Sequence, residues 1–258
     1  MNNTLITGLM LIETLAEKHD AMGITELARL LGLPKSNVHR VLQALVETGY
    51  VAREESSGTY GISIKLWEVA RTILADLDIG KIARPFLQRL TQCTGETSQL
   101  SILNGYDVVY LEKVDSSEPV HTYTPIGSRV PAHCTATGKI MLSSQPEKIG
   151  DDISKSLVRY TGRTFVDLKK FRCELRHCAK QGYAINRGEW REGVWGVAAS
   201  IRDNTESVVA AVGISGPAAR VKEKLADVIV PSICDTARQI SAALGGSKPA
   251  HSSNNFVQ

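Results

Sequence analysis

The chain has 258 residues, is 43% hydrophobic and 22% charged, and carries 30 Lys+Arg against 27 Asp+Glu, a formal net charge of +3. That length is long for one domain and comfortable for two, the composition excludes a disordered chain, and so mild a charge does not by itself suggest nucleic acid. No apolar run reaches membrane-spanning length, the N-terminus lacks a basic-then-apolar export pattern, and the five cysteines (Cys93, Cys134, Cys173, Cys178, Cys234) are scattered without a CxxC, so a cytoplasmic protein with reduced thiols is expected.

The first predicted element is a helix from Thr4 to Lys18, with Leu5, Leu9, Ile12 and Ala16 on its buried side. Thr25 is placed to cap a short helix, Glu26 to Leu31, which Gly32 ends. In the next segment Val38, Leu42, Leu45 and Val46 recur at helical spacing, one stripe facing a core. Pro34 suits its first turn and Gly49 the left-handed residue after its last, so this helix is predicted from Pro34 to Thr48. Two short helices joined through Gly32-Leu33-Pro34 make a helix-turn-helix, with the second helix free to enter a major groove. Its outer side carries Lys35, Ser36, Asn37, His39, Arg40 and Gln43, side chains able to bond base edges and phosphates. "YVAREESSGTYGIS" follows, with strands near Tyr50–Arg53 and Thr59–Ile62 around a Ser-Gly turn. Three helices and a hairpin make a winged helix-turn-helix over residues 1–62.

The distribution of charge supports this where the net charge does not. Residues 1–62 hold five basic and seven acidic side chains, yet 33–53 hold Lys35, Arg40 and Arg53 against Glu47 alone. A positive field confined to one helix and its flank meets few phosphates per protomer, which predicts a dimer on two half-sites. Glu54 and Glu55 make the hairpin tip a poor phosphate grip.

Ser63 is placed to cap a linker helix over 63–78, "IKLWEVARTILADL", whose Ile64, Trp67, Ala70, Ile73 and Leu74 form an apolar stripe with no local core; such a helix packs on another copy or on the next domain. A second domain, 79–246, opens with a helix near Ile82–Thr94, stopped by Gly95, with Pro85 in its first turn or kinking it. The pattern then changes to strands. "TSQLSIL", Asn104-Gly105 and "DVVYLEKV" carry a hairpin signal, "VHTYTPI" adds a third strand, and "IGSRVPAHCTATGKIMLS" is a loop leading into a short helix. A helix Leu168–Lys180 separates these from a second antiparallel pair, "VWGVAASIRD" and "SVVAAVGISG", turning at Asp203–Thr205. Cys173, His177 and Cys178 suggest a metal, but a helix with Phe171, Leu175, Cys178 and Ala179 turned inward accounts for them better, since structural zinc sites favour tighter pairs. A long helix, Val221–Leu244, closes the domain, and residues 247–258 read as a disordered tail. The predicted class is α+β, an antiparallel sheet with helices segregated from it.

Over nearly its whole length the chain resembles the IclR family of bacterial transcriptional regulators. "GITELARLLGLPKSNVHRVLQALVETGYV" is similar to the family's DNA-binding signature, "PAHCTATGKIML" to the loop and helix that open its effector pocket, and "GYAINRGEWREGVWGVAASI" with "AAVGISGP" to its C-terminal half. The resemblance implies a winged helix-turn-helix, a linker helix and a GAF-like effector-binding domain, assembled as homodimers or dimers of dimers. It implies double-stranded operator DNA and a small organic acid effector as partners, with no cofactor and no metal, and a role, expected to be repression, at a catabolic operon. The family's ligand loop corresponds to Thr135, Ala136 and Thr137. Asn186 stands where an acidic residue is common, Trp195-Gly196 where Arg-Cys is, and Gly213-Ile214-Ser215 where Ser-x-Ser is; with Val194 these make the expected effector site. A lost carboxylate, together with Trp195 if it turns inward, predicts an acid larger or more apolar than pyruvate; the alternative for Trp195 is an exposed or packing position on its strand. The rival reading is an esterase or lactonase using His133 and Cys134. It is disfavoured because adjacent residues of an extended segment face opposite ways and no GxSxG, Walker A or HExxH occurs, so no enzyme is expected.

Overall fold

A computed structural model describes residues 3–18, 21–69, 79–144 and 151–245, in two compact units, Met1–Asp78 and Ile79–Gln258. In the first, α1 (Asn3–Lys18), α2 (Ile24–Leu31) and α3 (Lys35–Glu47) precede an antiparallel hairpin of β1 (Val51–Glu54) and β2 (Thr59–Ile62). Leu11, Leu15, Met22, Leu27, Val38, Val41, Leu42, Val51 and Tyr60 form its core.

The helix ends follow the punctuation with small shifts. Gly32, at φ 63, closes α2 in the left-handed region, and Gly49, at φ 79, follows α3. Pro34 is extended and caps α3 from outside instead of occupying its first turn. Gly23, not Thr25, precedes α2, and no side chain caps that helix; Ile24 joins it early because its side chain packs on the core. The buried side of α1 differs from expectation. Thr7, Gly8, Leu11 and Leu15 are buried, while Leu5 (62%) and Leu9 (53%) are exposed and Ala16 faces solvent. The helix carries two apolar rows, and the packed one contains Gly8, where a Cβ would already lie 3.6 Å from Val41 Cγ1. A residue without a side chain lets two helices approach. The Ser63 hydroxyl accepts the Lys65 N–H and starts α4, described over 65–69. Ile64 and Trp67 are exposed; Ala70, Ile73 and Leu74, with the rest of the predicted linker helix, lie outside the described residues.

The second unit opens with α5 (Ile79–Thr94), Pro85 inside it and Gly95 at φ 75 behind it. Its six-stranded antiparallel sheet has the order β5-β4-β3-β8-β7-β6, with β3 Thr97–Asn104, β4 Asp107–Val114, β5 Arg129–Pro131, β6 Tyr183–Arg187, β7 Val194–Arg202 and β8 Val208–Pro217. Residues alternate between the faces. Leu100, Val197, Val212 and Ile214 pack with α5 and the terminal helix, while Ala184, Ala198 and Ala211 pack with α6 (Ala136–Ser143) and α7 (Leu168–Gln181).

Three expectations fail here for local reasons. Residues 120–126 are not a strand: Pro119 and Pro125 remove ladder donors, and the third strand is the short β5 paired to β4. The terminal helix is broken into α8 (Ala218–Glu223), a wide π turn over Leu225–Ile229, and α9 (Val230–Ala243). Pro231 offers no N–H to the turn before it, and the Ile229 N–H instead reaches the Lys224 carbonyl five residues back. On α7, Phe171, Leu175 and Cys178 are buried but Ala179 is exposed, and Cys173 faces solvent away from Cys178. Residues 246–258, the predicted tail, lie outside the described residues. Among the described residues no helix is long and apolar enough to cross a membrane.

Candidate functional site

The first unit presents α3. With Val38, Val41 and Leu42 buried, helical geometry turns Ser36, Arg40 and Gln43 straight outward, with Lys35 and His39 along one edge and Asn37, half-buried, along the other. Glu47 shares the outward row and Arg53 is exposed on β1, its guanidinium 5.9 Å over the Tyr60 ring. An Arg40 nitrogen lies 3.4 Å from Asn37 Oδ1 and 3.5 Å from Thr4 Oγ1, at the long limit of hydrogen bonding, so the side chain is held along the helix until something better is offered.

The second unit encloses a cavity at the start of α6. Thr135 is extended and accepts the Gly138 N–H on Oγ1 at 3.2 Å, while the Lys139 N–H bonds the Thr135 carbonyl. Helix geometry leaves the N–H groups of Ala136 and Thr137 without an intrahelical partner. The helix is seated deep because glycines make room for it. A Cβ at Gly138 would collide with the Ala132 backbone, and one at Gly213 would fall 2.7 Å from Thr137 Cγ2. Thr135, Ala136, Thr137, Asn186, Val194, Gly196 and Ser215 all line the cavity. Gly213 does not; it is the floor that admits Thr137. Trp195 does not either, because alternation along β7 sends it to the opposite face, where it packs with the α5 and α9 core. The aromatic lining comes instead from Tyr110, Tyr123 and Trp190.

Gln99, Thr122 and Arg191 also line the cavity and were not anticipated. The signal for Gln99 was available: Thr97, Gln99 and Ser101 are polar at every second position of a strand whose other side carries Leu100. Arg191, 4.4 Å over the Trp190 ring, is the only charged side chain among the lining residues. The free volume inside it is about 40 Å³. Several lining groups are already spoken for. Ser215 Oγ meets Thr122 Oγ1 at 2.6 Å, and Asn186 Oδ1 accepts the N–H groups of Gly188 and Glu189, which leaves its NH2 for the cavity. Burial pushes the Tyr110 phenol up to about 12; Thr137 offsets part of that rise, although the two hydroxyls do not reach hydrogen-bonding geometry.

Behind the cavity, Lys139 is fully buried and donates to Glu174 Oε1 (2.8 Å), Glu189 Oε1 (2.8 Å) and the Ile185 carbonyl (2.7 Å). One ammonium thereby ties α6 to α7, to β6, and to the loop carrying Trp190 and Arg191. Two carboxylates face one cation, and burial raises the Glu189 carboxyl above its usual range, with Lys139 pulling it back.

His133 and Cys134 are not a catalytic pair. His133 Nε2 meets the Val158 carbonyl at 3.0 Å, which requires a proton on that nitrogen, and burial lowers the ring's pKa. Burial pushes the Cys134 thiol up to about 12, the reverse of an activated nucleophile.

Comparison with known proteins agrees with this arrangement. Residues 4–55 match a family model described as the IclR helix-turn-helix domain, and residues 71–242 one described as the bacterial transcriptional regulator IclR C-terminal domain. The chain is 31% identical over 244 residues to the HTH-type transcriptional repressor AllR of Salmonella typhimurium, covering 94% of this chain and 90% of that one. Its Escherichia coli K12 counterpart is 29% identical over 240 residues, 92% and 89% of the two chains. Among solved structures, a putative transcriptional regulator from Rhodococcus sp. RHA1 superposes with a TM-score of 0.78 at 29% identity, covering 95% of this chain and 99% of that one. An IclR homologue from Microbacterium hydrocarbonoxydans, complexed with 4-hydroxybenzoate, gives a TM-score of 0.78 at 24% identity over 95% and 100%.

Proposed function

Because the chain belongs to the IclR family of bacterial transcriptional regulators, and is a DNA-binding regulator and not an enzyme, we propose that it represses a catabolic operon in the cytoplasm under the control of a small organic acid held at the start of α6. The observation that carries the acid is electrostatic. The cavity offers the N–H groups of Ala136 and Thr137, the NH2 of Asn186 and one cation, Arg191, and its lining contains no carboxylate to repel an anion. The small free volume favours a compact acid over the larger one expected from sequence, since the supposed wall, Trp195, faces away.

In the DNA complex α3 lies in a major groove. Ser36, Asn37, Arg40 and Gln43 reach bases, and Lys35, His39 and Arg53 reach the backbone. So few phosphate contacts need a second protomer. Supporting that, Leu9, Ile12, Leu45 and Leu66 line an apolar groove beside Arg40, and pairing two copies across it buries what one protomer leaves exposed. The test is a titration of selected operator DNA by fluorescence anisotropy with and without candidate acids. An acid that binds the protein and changes operator affinity supports the proposal.

A further inference from the structure

Two side chains in the cavity each have a buried oxygen with no hydrogen bond among the described residues. Gln99 is 6% exposed, yet no hydrogen bond to its carboxamide occurs among the described residues, and its Oε1 is fully enclosed. Thr137 is 2% exposed and its Oγ1 is likewise enclosed and unbonded. The sheet brings them together. Gln99 on β3 stands directly across from Gly213 on β8, and Thr137 rests on Gly213, so both polar groups occupy one level of the cavity floor. Buried polar groups in native proteins are almost always satisfied, and a pair left over in a ligand cavity is expected to be satisfied by the ligand.

We infer that Gln99, with Thr137, is a specificity-determining pair that reads a second polar group on the effector, a hydroxyl or an amide N–H that donates to Gln99 Oε1. This rests on the proposed acid reading and deepens it: the acid end meets the helix start, and the donor meets the sheet floor. A carboxylate can accept from the Thr137 hydroxyl but does not satisfy Gln99 Oε1, because it brings no proton for an acceptor oxygen. An acid that fills the cavity without offering Gln99 Oε1 a donor leaves that buried acceptor unsatisfied and binds less well. The class that fits is therefore a compact hydroxy acid or an acid bearing an amide, in preference to the same skeleton without the donor.

The experiment is calorimetry on the full chain with matched pairs: glycolate against acetate, 3-hydroxypropionate against propionate, succinamate against butyrate, 4-hydroxybenzoate against benzoate. The best-bound donor-bearing acid should exceed its partner by about tenfold or more in affinity, and Gln99→Met should bring the two within about twofold by weakening the donor-bearing acid alone. Thermal unfolding of the ligand-free protein separates this from a structural role. Removing an unsatisfied carboxamide should leave the melting temperature unchanged or raise it. Equal binding within every pair, a ratio that survives Gln99→Met, or a melting temperature lowered by several degrees overturns the inference while leaving the acid reading intact. Failure of every acid to bind refutes the acid reading, and the inference falls with it.

Discussion

Replacing Lys139 by Met removes the cation that three acceptors share without removing much volume. Its side chain is fully buried, and the carboxylates it serves are 4% exposed at Glu189 and 16% at Glu174. Glu174 retains some access to water, so one protonation, at Glu189, relieves the uncompensated charge. Holding one carboxyl neutral at pH 7 costs about 1.36 kcal/mol for each pH unit above an ordinary value near 4.3, or about 3.7 kcal/mol, and about 1 kcal/mol at pH 5. The first figure lies within the range of about 3–5 kcal/mol typical of broken buried pairs. Urea unfolding followed by circular dichroism should show Lys139→Met destabilised by about 4 kcal/mol at pH 7, with the deficit shrinking towards about 1 kcal/mol at pH 5. Lys139→Met with Glu189→Gln should recover most of the loss at pH 7. A single mutant within about 1 kcal/mol of wild type, or a deficit that ignores pH, would refute the account of this cluster.

Four further outcomes are expected. Arg40→Ala should cost roughly 1–3 kcal/mol of specific operator binding, whereas Lys35→Ala should weaken specific and non-specific sites alike and flatten the salt dependence, both read by gel shift. Leu9→Ser with Trp67→Ala should move the protein toward monomer in sedimentation and abolish binding to palindromic DNA; an unchanged oligomer places the pairing surface elsewhere. Trp190→Ala and Asn186→Asp should weaken acid binding in calorimetry, the second by returning a negative charge, while Trp195→Phe should not. For His133 the sign follows from its lowered pKa. The unfolded chain takes up the proton at the ordinary value near 6.5 and the folded one only at lower pH, so the stability its neutral ring confers is present above 6.5 and is lost as pH falls through the folded value. His133→Gln, which keeps a donor for Val158, should show less loss of the urea midpoint between pH 7.5 and 5.5 than wild type.

The outer row of α3 was legible because a helix of known ends and one buried stripe leaves only one set of residues outside. The seat of α6 was legible in part: the run Thr135 to Gly138 marks a capped helix start, and the small residues of β7 and β8 mark a close approach. What pattern reading missed came from competition between alternatives that the chain alone does not rank. Helix α1 carries two apolar rows, and only the packing of Gly8 on Val41 chooses between them. For Trp195 the motif leaves an inward and a packing position open, and strand alternation, with Gly196 facing the cavity, selects the packing one. Gln99 belongs to a segment distant from the recognisable motifs, and the sheet order, which sets β3 beside β8, brings it to the cavity; Arg191 lies within the C-terminal motif, but its spacing alone does not say that it reaches the cavity. Pro231 signals the break before α9, but the apolar spacing continues on both sides of it and favours one unbroken helix.

In the proposed function one ligand, bound in the second unit, governs how the first unit holds DNA. The most direct test is a reciprocal linkage measurement. Operator DNA selected from random sequence is titrated by anisotropy with and without the acid that calorimetry identifies, and the acid is titrated with and without that operator at the same salt. Linkage requires the two affinities to change by the same factor, and a regulator of this kind should show a factor of about 5–150. An operator affinity indifferent to saturating acid, with acid binding equally indifferent to operator, would show that the two sites are not coupled.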